Sequence, residues 1–486
     1  MTTADAYKKI INTLKRKKNG VTTADICAAT ALPLPAVREL LPKAADEYAG
    51  ELQVTQSGEI LYSFPNGFTS RYRGFNAGFK KAAKILSGAF KAVLVFLFKA
   101  WIVIMLIGYF ALFLALALAG VVLSVVVQSK SSDRGRRGAR LTPGLFQILW
   151  RIWFVQEITR PRYGRYPNVP VTQNKEKGRP MHKAVFSFVF GEGDPNKGFE
   201  DMENKAVISY IQANRGVISL AEYMAFSGKD SAQANEAILS FCSKYGGSPE
   251  VTEEGTLVFR FDDLLLRANT GGFSELSPPV KRLKTFSFNK KSMNGWFIAI
   301  NAVNLLFGSY FLYNAVNSGL LVTDIQYQAA SYLYGFTHII MSFFTQNPHT
   351  LISIALGVVP VVFSILFWLI PAIRKHMENK ENESIKLSNF KKLGFTKIWT
   401  NPNNVKIADL IPQTAECRPQ NSVAAADRVI KDLGAISSPQ VDAGENGKLC
   451  YSFKDLEKEK IALAGYRNSL DPKRAEVGST VFDTGK

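Results

Sequence analysis

The chain has 486 residues and a formal net charge of +19, from 59 Lys or Arg against 40 Asp or Glu. A single hydrophobic core seldom organises so many residues, so we expect several structural units. Hydrophobic residues make up 47 % of the chain. They concentrate in three nearly uncharged stretches, which excludes a wholly soluble protein.

The cysteine spacing excludes the common metal motifs. The four cysteines are scattered, with no CxxC spacing and no neighbouring histidine: Cys27, Cys242, Cys417 and Cys450. Structural zinc and iron–sulphur sites usually need closely spaced ligands. We therefore predict reduced structural thiols, no metal and no bound cofactor.

Residues 1–68 form the first predicted soluble unit. Residues 1–18 have the pattern of a basic amphipathic helix and lack the apolar core of a signal peptide, so we expect a cytoplasmic N-terminus. A helix start at Ala24-Asp25 and a helical stretch over residues 36–48 follow. A turn at Ser57-Gly58 then precedes alternating apolar residues, which predicts a β-hairpin.

Residues 89–128 are predicted to cross the membrane. Between residues 89 and 127 the only charged side chains are Lys91 and Lys99. One helix over this stretch would be about 58 Å long, whereas the hydrocarbon core is about 30 Å thick. Basic residues flank both ends, so we predict a hairpin that turns near Gly108 and Tyr109. One long tilted helix is the alternative.

Residues 129–183 form a basic juxtamembrane segment. Between Lys130 and Lys183 there are thirteen Lys or Arg and three Asp or Glu. Residues 145–158 have the pattern of a helix that lies on the membrane surface. We predict that this segment contacts anionic lipid headgroups through Arg134, Arg136, Arg137, Arg140, Trp150, Arg151 and Trp153.

Residues 184–270 begin with the sequence AVFSFVFGEGDPN. Its alternating side chains predict a strand over residues 184–190 that ends in a tight turn. Gly191 and Gly193 would let backbone amides approach a phosphate, but Glu192 and Asp194 would repel it, so we favour a structural turn. A second unit follows over residues 215–261, with a helix start at Leu220-Ala221, a helix over 232–245 and a hairpin turn at Glu254-Gly255.

The sequence FSFVFGEGDPN, followed by RGVISLAEYMAF, resembles a family of largely uncharacterised membrane proteins of chloroplasts and bacteria. These proteins carry an FGDGDPN turn before a GVVTAEEL segment. The resemblance covers residues 184–226, and Glu192 stands where the family has Asp. Some relatives are described as iron–sulphur cluster proteins, which the isolated cysteines of this chain do not support. The resemblance implies a membrane protein and assigns no mechanism.

Residues 296–373 are predicted to form a pair of transmembrane helices, over 296–322 and 351–370. No Lys or Arg lies between Ser292 and Ile373, so we expect the connecting loop to face away from the cytoplasm. Pro360 and Pro371 predict a kink and a stop. The amides of the first helix indicate helix association, or alternatively a polar path: Asn301, Asn304, Asn314 and Asn317.

Residues 389–465 are predicted to hold a third soluble unit. It has a helix start at Ile407-Ala408, a helix over 423–433 and a turn at Asn446-Gly447. The tail, residues 466–486, is expected to follow a helix and to end in disorder.

The predicted fold is an α+β multidomain membrane protein with three winged-helix-like repeats and about four transmembrane helices in two hairpins. Each soluble unit has the order helix, short strand, two helices and hairpin, although no helix is evident before the third. A winged helix binds DNA through a basic recognition helix. The corresponding helices here are nearly neutral, which favours protein contacts and makes nucleic acid an unlikely partner.

These features predict a membrane-tethered scaffold or adaptor that acts through clustered cytoplasmic units. One alternative is a membrane-bound DNA-binding or signalling regulator, and another is a transporter subunit. The expected partners are anionic membrane lipids and another protein. The expected location is the cytoplasmic (inner) membrane, as a multi-pass protein.

Enzyme activity is not predicted. The four histidines are isolated from any nucleophile or acid at motif spacing: His182, His338, His349 and His376.

Overall fold

The computed structural model describes residues 2–17, 20–65, 67–68, 90–129, 179–268, 275–443 and 449–484. The chain divides into two compact units. Unit 1 contains Met1–Ala83, Asp194–Lys284 and Asn379–Lys486, and unit 2 contains Lys84–Gly193 and Thr285–Glu378. The three parts of unit 1 are called its first, second and third segments.

The first segment of unit 1 contains three helices and a hairpin. The helices are α1 (Thr3–Leu14), α2 (Thr23–Thr30) and α3 (Leu34–Glu47), and the antiparallel strands are β1 (Glu51–Thr55) and β2 (Ile60–Ser63). A capping box of Thr22 and Asp25 starts α2, which satisfies backbone N–H groups that the helix itself leaves unpaired. Val21 forms an isolated bridge with Tyr62 of β2.

The second segment contains α6 (Phe199–Ala213), β3 (Val217–Ser219), α7 (Leu220–Ser227), α8 (Ser231–Tyr245), β4 (Ser248–Val251) and β5 (Leu257–Arg260). Its strands form an antiparallel sheet in the order β3-β5-β4. A capping box of Ser219 and Glu222 starts α7, at the point equivalent to the one that starts α2.

The third segment begins within the long helix α12 (Pro348–Thr400). It continues with β6 (Val405–Lys406), α13 (Ile407–Leu410), α14 (Ser422–Gly434), β7 (Gln440–Ala443), β8 (Leu449–Ser452) and α15 (Lys454–Ser469). The sheet order is β6-β8-β7. The helix start at Ile407 yields only one turn, because no side chain caps it and Pro412 follows.

One apolar core runs through all three segments of unit 1. Leu41 of α3, Phe259 of β5 and Phe453 before α15 belong to the same buried cluster, and none of them is more than 1 % exposed. Burial of each such side chain contributes about 1.5–3 kcal/mol. The three segments therefore share their hydrophobic stabilisation.

Unit 2 is helical in its described part. Its helices are α4 (residues 90–129), α5 (Met181–Phe190), α9 (Lys291–Val316), α10 (Ile325–Ala330), α11 (Tyr332–Ser342) and the first part of α12. Among the described residues, three helices are long and apolar enough to cross a membrane, at Phe90–Val122, Lys291–Val316 and Pro348–Thr400.

The predicted hairpin within residues 89–128 is wrong, because α4 is continuous. The expected turn at Gly108 and Tyr109 is replaced by a π-helical segment, Ile104–Gly108, that passes directly into α-helix. No proline interrupts residues 90–129, and a π segment accommodates one extra residue without reversing the chain. The structure therefore agrees with the alternative prediction, that of one long helix.

The predicted strand over residues 184–190 is also wrong, since these residues belong to α5. The buried apolar side chains are Ala184, Val185, Phe188 and Val189, which follow the i, i+3, i+4 spacing of a helix face. Pro180 stands at the N-cap. Aromatic and β-branched residues favour a strand, but packing against the other helices of unit 2 stabilises a helix here.

Two further predictions need correction. Pro371 lies inside α12, which continues to Thr400; the proline removes one backbone hydrogen bond, and the helix-forming residues after it sustain the helix. The tail, residues 466–486, is ordered in part where disorder was expected, because Thr480–Asp483 forms strand β9 on the edge of β1. The paired backbone groups explain the order.

Candidate interaction platform

Glu222 is the centre of a buried polar network in unit 1. Its side chain is inaccessible to solvent. It accepts hydrogen bonds from Tyr210 Oη at 2.6 Å and from the Ser219 backbone N–H at 3.1 Å. Arg467 of α15 pairs with the same carboxylate at 2.7 Å. The ion pair therefore fixes the third segment to the second.

Arg215 of the second segment also binds the third segment, at the end of α15. Its guanidinium donates to the carbonyl oxygens of Arg467 and Leu470, at 2.8 and 3.1 Å, at the end of α15. A cation at this position complements the helix dipole. Burial raises the pKa of Glu459, on the same helix, to about 7, and the nearby charge of Glu222 acts in the same direction.

A second buried pair joins α12 to α6. The side chain of Lys392 is fully buried, and its Nζ lies 2.6 Å from Glu203 Oε1 and 3.1 Å from the carbonyl oxygen of Pro279. The ammonium group also lies 4.8 Å from the ring centroid of Phe199, which gives a cation–π contact. An unpaired lysine could not remain charged in this environment.

Three asparagines hold residues 276–284, an irregular segment here called the strap. Each side-chain amide bonds both backbone groups of one strap residue, at 2.8–2.9 Å: Asn389 on Lys281, Asn196 on Arg282 and Asn382 on Lys284. Asn382 and Asn389 are two helical turns apart, so they share one face of α12. The amides supply the partners that a neighbouring strand would otherwise provide.

The GEGDPN turn has a structural explanation within each unit. In unit 1, Asp194 accepts a hydrogen bond from the backbone of Asn196 and so orients this strap-binding asparagine. In unit 2, Gly191 has φ +83°, and an added Cβ would lie 2.5 Å from Nη1 of Arg374. These contacts support the structural interpretation of the turn over phosphate binding.

Glu192 of the turn is held by several donors in unit 2. Arg179 binds its two oxygens at 2.5 and 2.8 Å, the Phe288 backbone N–H donates at 3.1 Å, and the Ser187 hydroxyl donates as well. The hydrogen bonds from Arg179 are the main reason that the pKa of Glu192 falls to about 2. Glu192 is therefore ionised and fully engaged.

Neutral polar side chains connect the helices of unit 2. Asn304 Nδ2 donates to the carbonyl of Leu106 at 2.7 Å, and Tyr109 Oη donates to that of Ala355 at 2.8 Å. Both acceptors lie in π-helical segments, Ile104–Gly108 and Ile352–Val358. Such segments disturb the regular backbone pairing, and the side chains from neighbouring helices satisfy the carbonyls there.

Some polar atoms of this bundle have no hydrogen-bond partner among the described residues: Asn301 Oδ1, Asn304 Oδ1, Ser364 Oγ and Trp368 Nε1. Asn301 Nδ2 itself donates to the carbonyl of Ser364 at 3.0 Å. These bonds support the helix-association interpretation for Asn301 and Asn304, whereas the side chains of Asn314 and Asn317 donate to carbonyls of their own helix. The remaining atoms are groups to which a water molecule could bind.

Both basic residues of α3, the first predicted recognition helix, are paired within unit 1. Arg38 of α3 pairs with Asp263 at 3.1 Å, and Lys43 pairs with Glu39 at 2.6 Å. On α14, Asp432 pairs with Lys391 at 2.7 Å. Phosphate binding by α3 would have to compete with Asp263 and Glu39.

Several predicted residues receive no placement. The headgroup-contact residues fall outside the described ranges, so that hypothesis stays a prediction: Arg134, Arg136, Arg137, Arg140, Trp150, Arg151 and Trp153.

Among the histidines, His349 Nδ1 lies 2.8 Å from Tyr334 Oη. No group of three or more His, Cys, Asp or Glu in the described ranges is arranged to hold a metal ion.

Two of the four cysteines, Cys27 and Cys242, lie in the shared core of unit 1. Cys27, Cys242 and Cys417 are buried, and Cys450 is half-buried. Burial raises the pKa of the Cys27 thiol to about 12 and that of Cys242 to about 11. These two thiols are therefore protonated and unreactive near neutral pH.

A cavity of about 990 Å³ opens in the third segment, beside the end of α12, α13 and α15. Two lysines line it, and both donate to backbone carbonyl oxygens: Lys397 to Asp409 at 2.6 Å and Lys460 to Thr400 at 2.9 Å. Their positive charge is balanced by Asp409 and Glu457 in the same lining. The cavity therefore has no surplus charge to select an anionic ligand.

The residues that join the segments of unit 1 were not identified from the sequence. Glu222 lay in a predicted helix start, and the capping-box spacing SLAE was its only signal. The i, i+7 spacing of Asn382 and Asn389 indicates a common helix face, but nothing in it identifies the strap as their partner. Arg467 carried no signal, because its partner is 245 residues away.

The chain is 25 % identical, over 485 aligned residues, to an uncharacterized chloroplastic protein of Arabidopsis thaliana. The alignment covers 93 % of this chain and 83 % of the relative. No protein-family model matches the chain, and no solved structure matches it. The similarity thus extends through both units and agrees with the resemblance to uncharacterised chloroplast proteins.

Proposed function

We propose that the protein is a membrane-tethered scaffold or adaptor whose unit 1 presents one platform to a protein partner. The observation that carries this proposal is the common core of unit 1. Three segments that are far apart in sequence contribute to one apolar cluster, and buried ion pairs fix them to each other. A platform of this kind has fixed geometry, which lowers the entropic cost of binding a partner.

We infer that the three segments are winged-helix-like units. The support is their common strand arrangement. In the second and third segments, a short strand pairs with the second strand of the hairpin, and in the first segment Val21 pairs in the same way with β2. The paired basic residues of α3, Arg38 and Lys43, favour protein contacts over the DNA contacts of other winged helices.

The proposal has a consequence for membrane topology. If unit 1 lies on one side, the chain between Ala83 and Asp194 must cross the membrane an even number of times. We expect the other soluble side to contain residues between α9 and α12, and we assign unit 1 to the cytoplasmic side by the positive-inside rule.

Single-cysteine labelling in intact membranes tests this topology. In a background without the native cysteines, we would introduce Lys43→Cys, Glu254→Cys and Lys458→Cys, one in each segment of unit 1, and Asn347→Cys in unit 2. All four positions are exposed. We expect a membrane-impermeant maleimide to label the first three from one side and Asn347→Cys from the other. Labelling of Lys43→Cys and Glu254→Cys from opposite sides would contradict the platform.

A further inference from the structure

The open edge of β1 is covered by the end of the same chain. Strand β9 pairs antiparallel with β1, with Gln53 opposite Asp483 and Val54 opposite Phe482. The Leu52 backbone N–H donates to Thr484 Oγ1 at 2.8 Å, and the Thr484 N–H donates to the Leu52 carbonyl at 3.0 Å. The pairing is therefore made mainly by backbone groups.

The side chains of β9 contribute little to the core of unit 1. Val481 is 69 % exposed and Phe482 is 60 % exposed. Besides the hydroxyl of Thr484, the side chain of Asp483 contributes a contact, from Gln53 Nε2 to Asp483 Oδ2 at 3.0 Å. A strand that buries so little apolar surface belongs to the least stable part of a fold, so it can separate while the rest stays folded.

The corresponding strands of the other two hairpins are protected differently. In the described part of unit 1, β4 and β7 pair only with the second strands of their own hairpins. Pro249 lies within β4, and Pro439 directly precedes β7. Proline and charge are the usual means of blocking an exposed edge. Strand β1 has no proline and is instead covered by β9.

We propose that the edge of β1 is a docking site for an extended peptide segment of a partner protein, and that residues 479–484 occupy it in cis. The chemistry of the present occupant defines the partner. It has a carboxylate opposite Gln53, followed directly by a Ser or Thr whose hydroxyl accepts from the Leu52 N–H, and no proline at the paired positions. Strand addition of this kind draws affinity from the backbone and specificity from alternate side chains.

This inference deepens the proposed scaffold function, because it names one docking surface on the platform. Its biological meaning rests on that function, but peptide binding and membrane topology are measured separately. A correct topology without peptide binding would refute only the docking site. Peptide binding with the segments on opposite sides would refute only the platform.

The test uses the full-length protein in detergent and a variant that ends at Glu476, which retains the contact of Arg474 with Asp262. The probe is a fluorescent peptide of residues 477–484, followed by anisotropy. We expect the shortened variant to bind the peptide 1:1. The full-length chain should bind at least about tenfold more weakly, because the tethered segment competes at high effective concentration.

Two matched variants test the edge itself. Hydrogen-bond directions alternate along an antiparallel strand, so the N–H of Val54 points towards β9, like that of Leu52. In the shortened chain, Val54→Pro removes this donor and should abolish binding, whereas Val54→Ala keeps the donor and should preserve it. Circular dichroism checks that both variants are folded.

Three results would overturn the proposal. One is no peptide binding by a shortened chain that is folded, and another is equal binding with and without residues 477–486. The third is a full-length chain that forms dimers by exchanging residues 479–484, since the occupant would then be a second copy.

Discussion

The two units neutralise their buried polar groups in different ways. In unit 1 the buried partners are charged, as in the pairs of Lys392 with Glu203 and of Arg467 with Glu222. In the bundle of unit 2, neutral amides and hydroxyls connect the apolar helices by donating to backbone carbonyls, as Asn304 does to Leu106, and the charged Arg374 joins α12 to α5 beside the GEGDPN turn.

The difference follows from the surroundings that the composition predicts for each unit. Placing a charged side chain inside a bilayer costs much free energy. A neutral amide is therefore the strongest hydrogen-bond donor that a membrane helix accommodates without a large cost. In a water-soluble core, a buried ion pair is tolerated when other hydrogen bonds complete it. Charged contacts should therefore give the larger mutational effects, and amide contacts the smaller ones.

The largest effect is expected for Arg467→Met. The substitution keeps much of the side-chain volume but leaves the carboxylate of Glu222 buried without its cation, which should destabilise unit 1 by about 3–5 kcal/mol. Denaturant unfolding in detergent, followed by circular dichroism, measures this loss. Arg474→Met is the matched control, because its pair with Asp262 is exposed and should contribute less than about 1 kcal/mol. Equal losses for the two variants would contradict a special role for the buried pair.

A smaller effect is expected from the protonation of Glu459. Its pKa is raised in the folded state to about 7, so the folded protein favours the protonated carboxyl group. Stability from this group is complete below the unfolded pKa of about 4.5 and is lost as the pH rises through about 7. Relative to Glu459→Gln, the natural protein should lose about 2–3 kcal/mol between these limits. Parallel denaturation curves across this pH range are the check, and a constant difference would refute the prediction.

The comparison also explains what could be predicted from the sequence. Capping residues and turns are local, so the helix starts at Asp25 and Leu220 and the turns at Gly58 and Gly255 agree with the structure. The continuity of α4 and the helical state of residues 184–190 depend on packing against other helices, which local patterns do not encode. The pairing of Arg467 with Glu222 and of β9 with β1 joins residues too distant in sequence for spacing to reveal them.

The smallest effect is expected in the bundle, for Asn304→Leu. The substitution removes the donor to the Leu106 carbonyl in the π segment, and bonds of this kind between membrane helices contribute about 0.6 kcal/mol on average and up to about 1.7. The control is Asn317→Leu, since the side chain of Asn317 donates to the Tyr313 carbonyl of its own helix, at 2.9 Å, and to no other helix among the described residues. Thermal unfolding in the same detergent compares the two variants with Arg467→Met. A loss for Asn304→Leu as large as that for Arg467→Met would mean that the π segment depends on this amide, and that the contrast between charged and neutral contacts does not separate the two units.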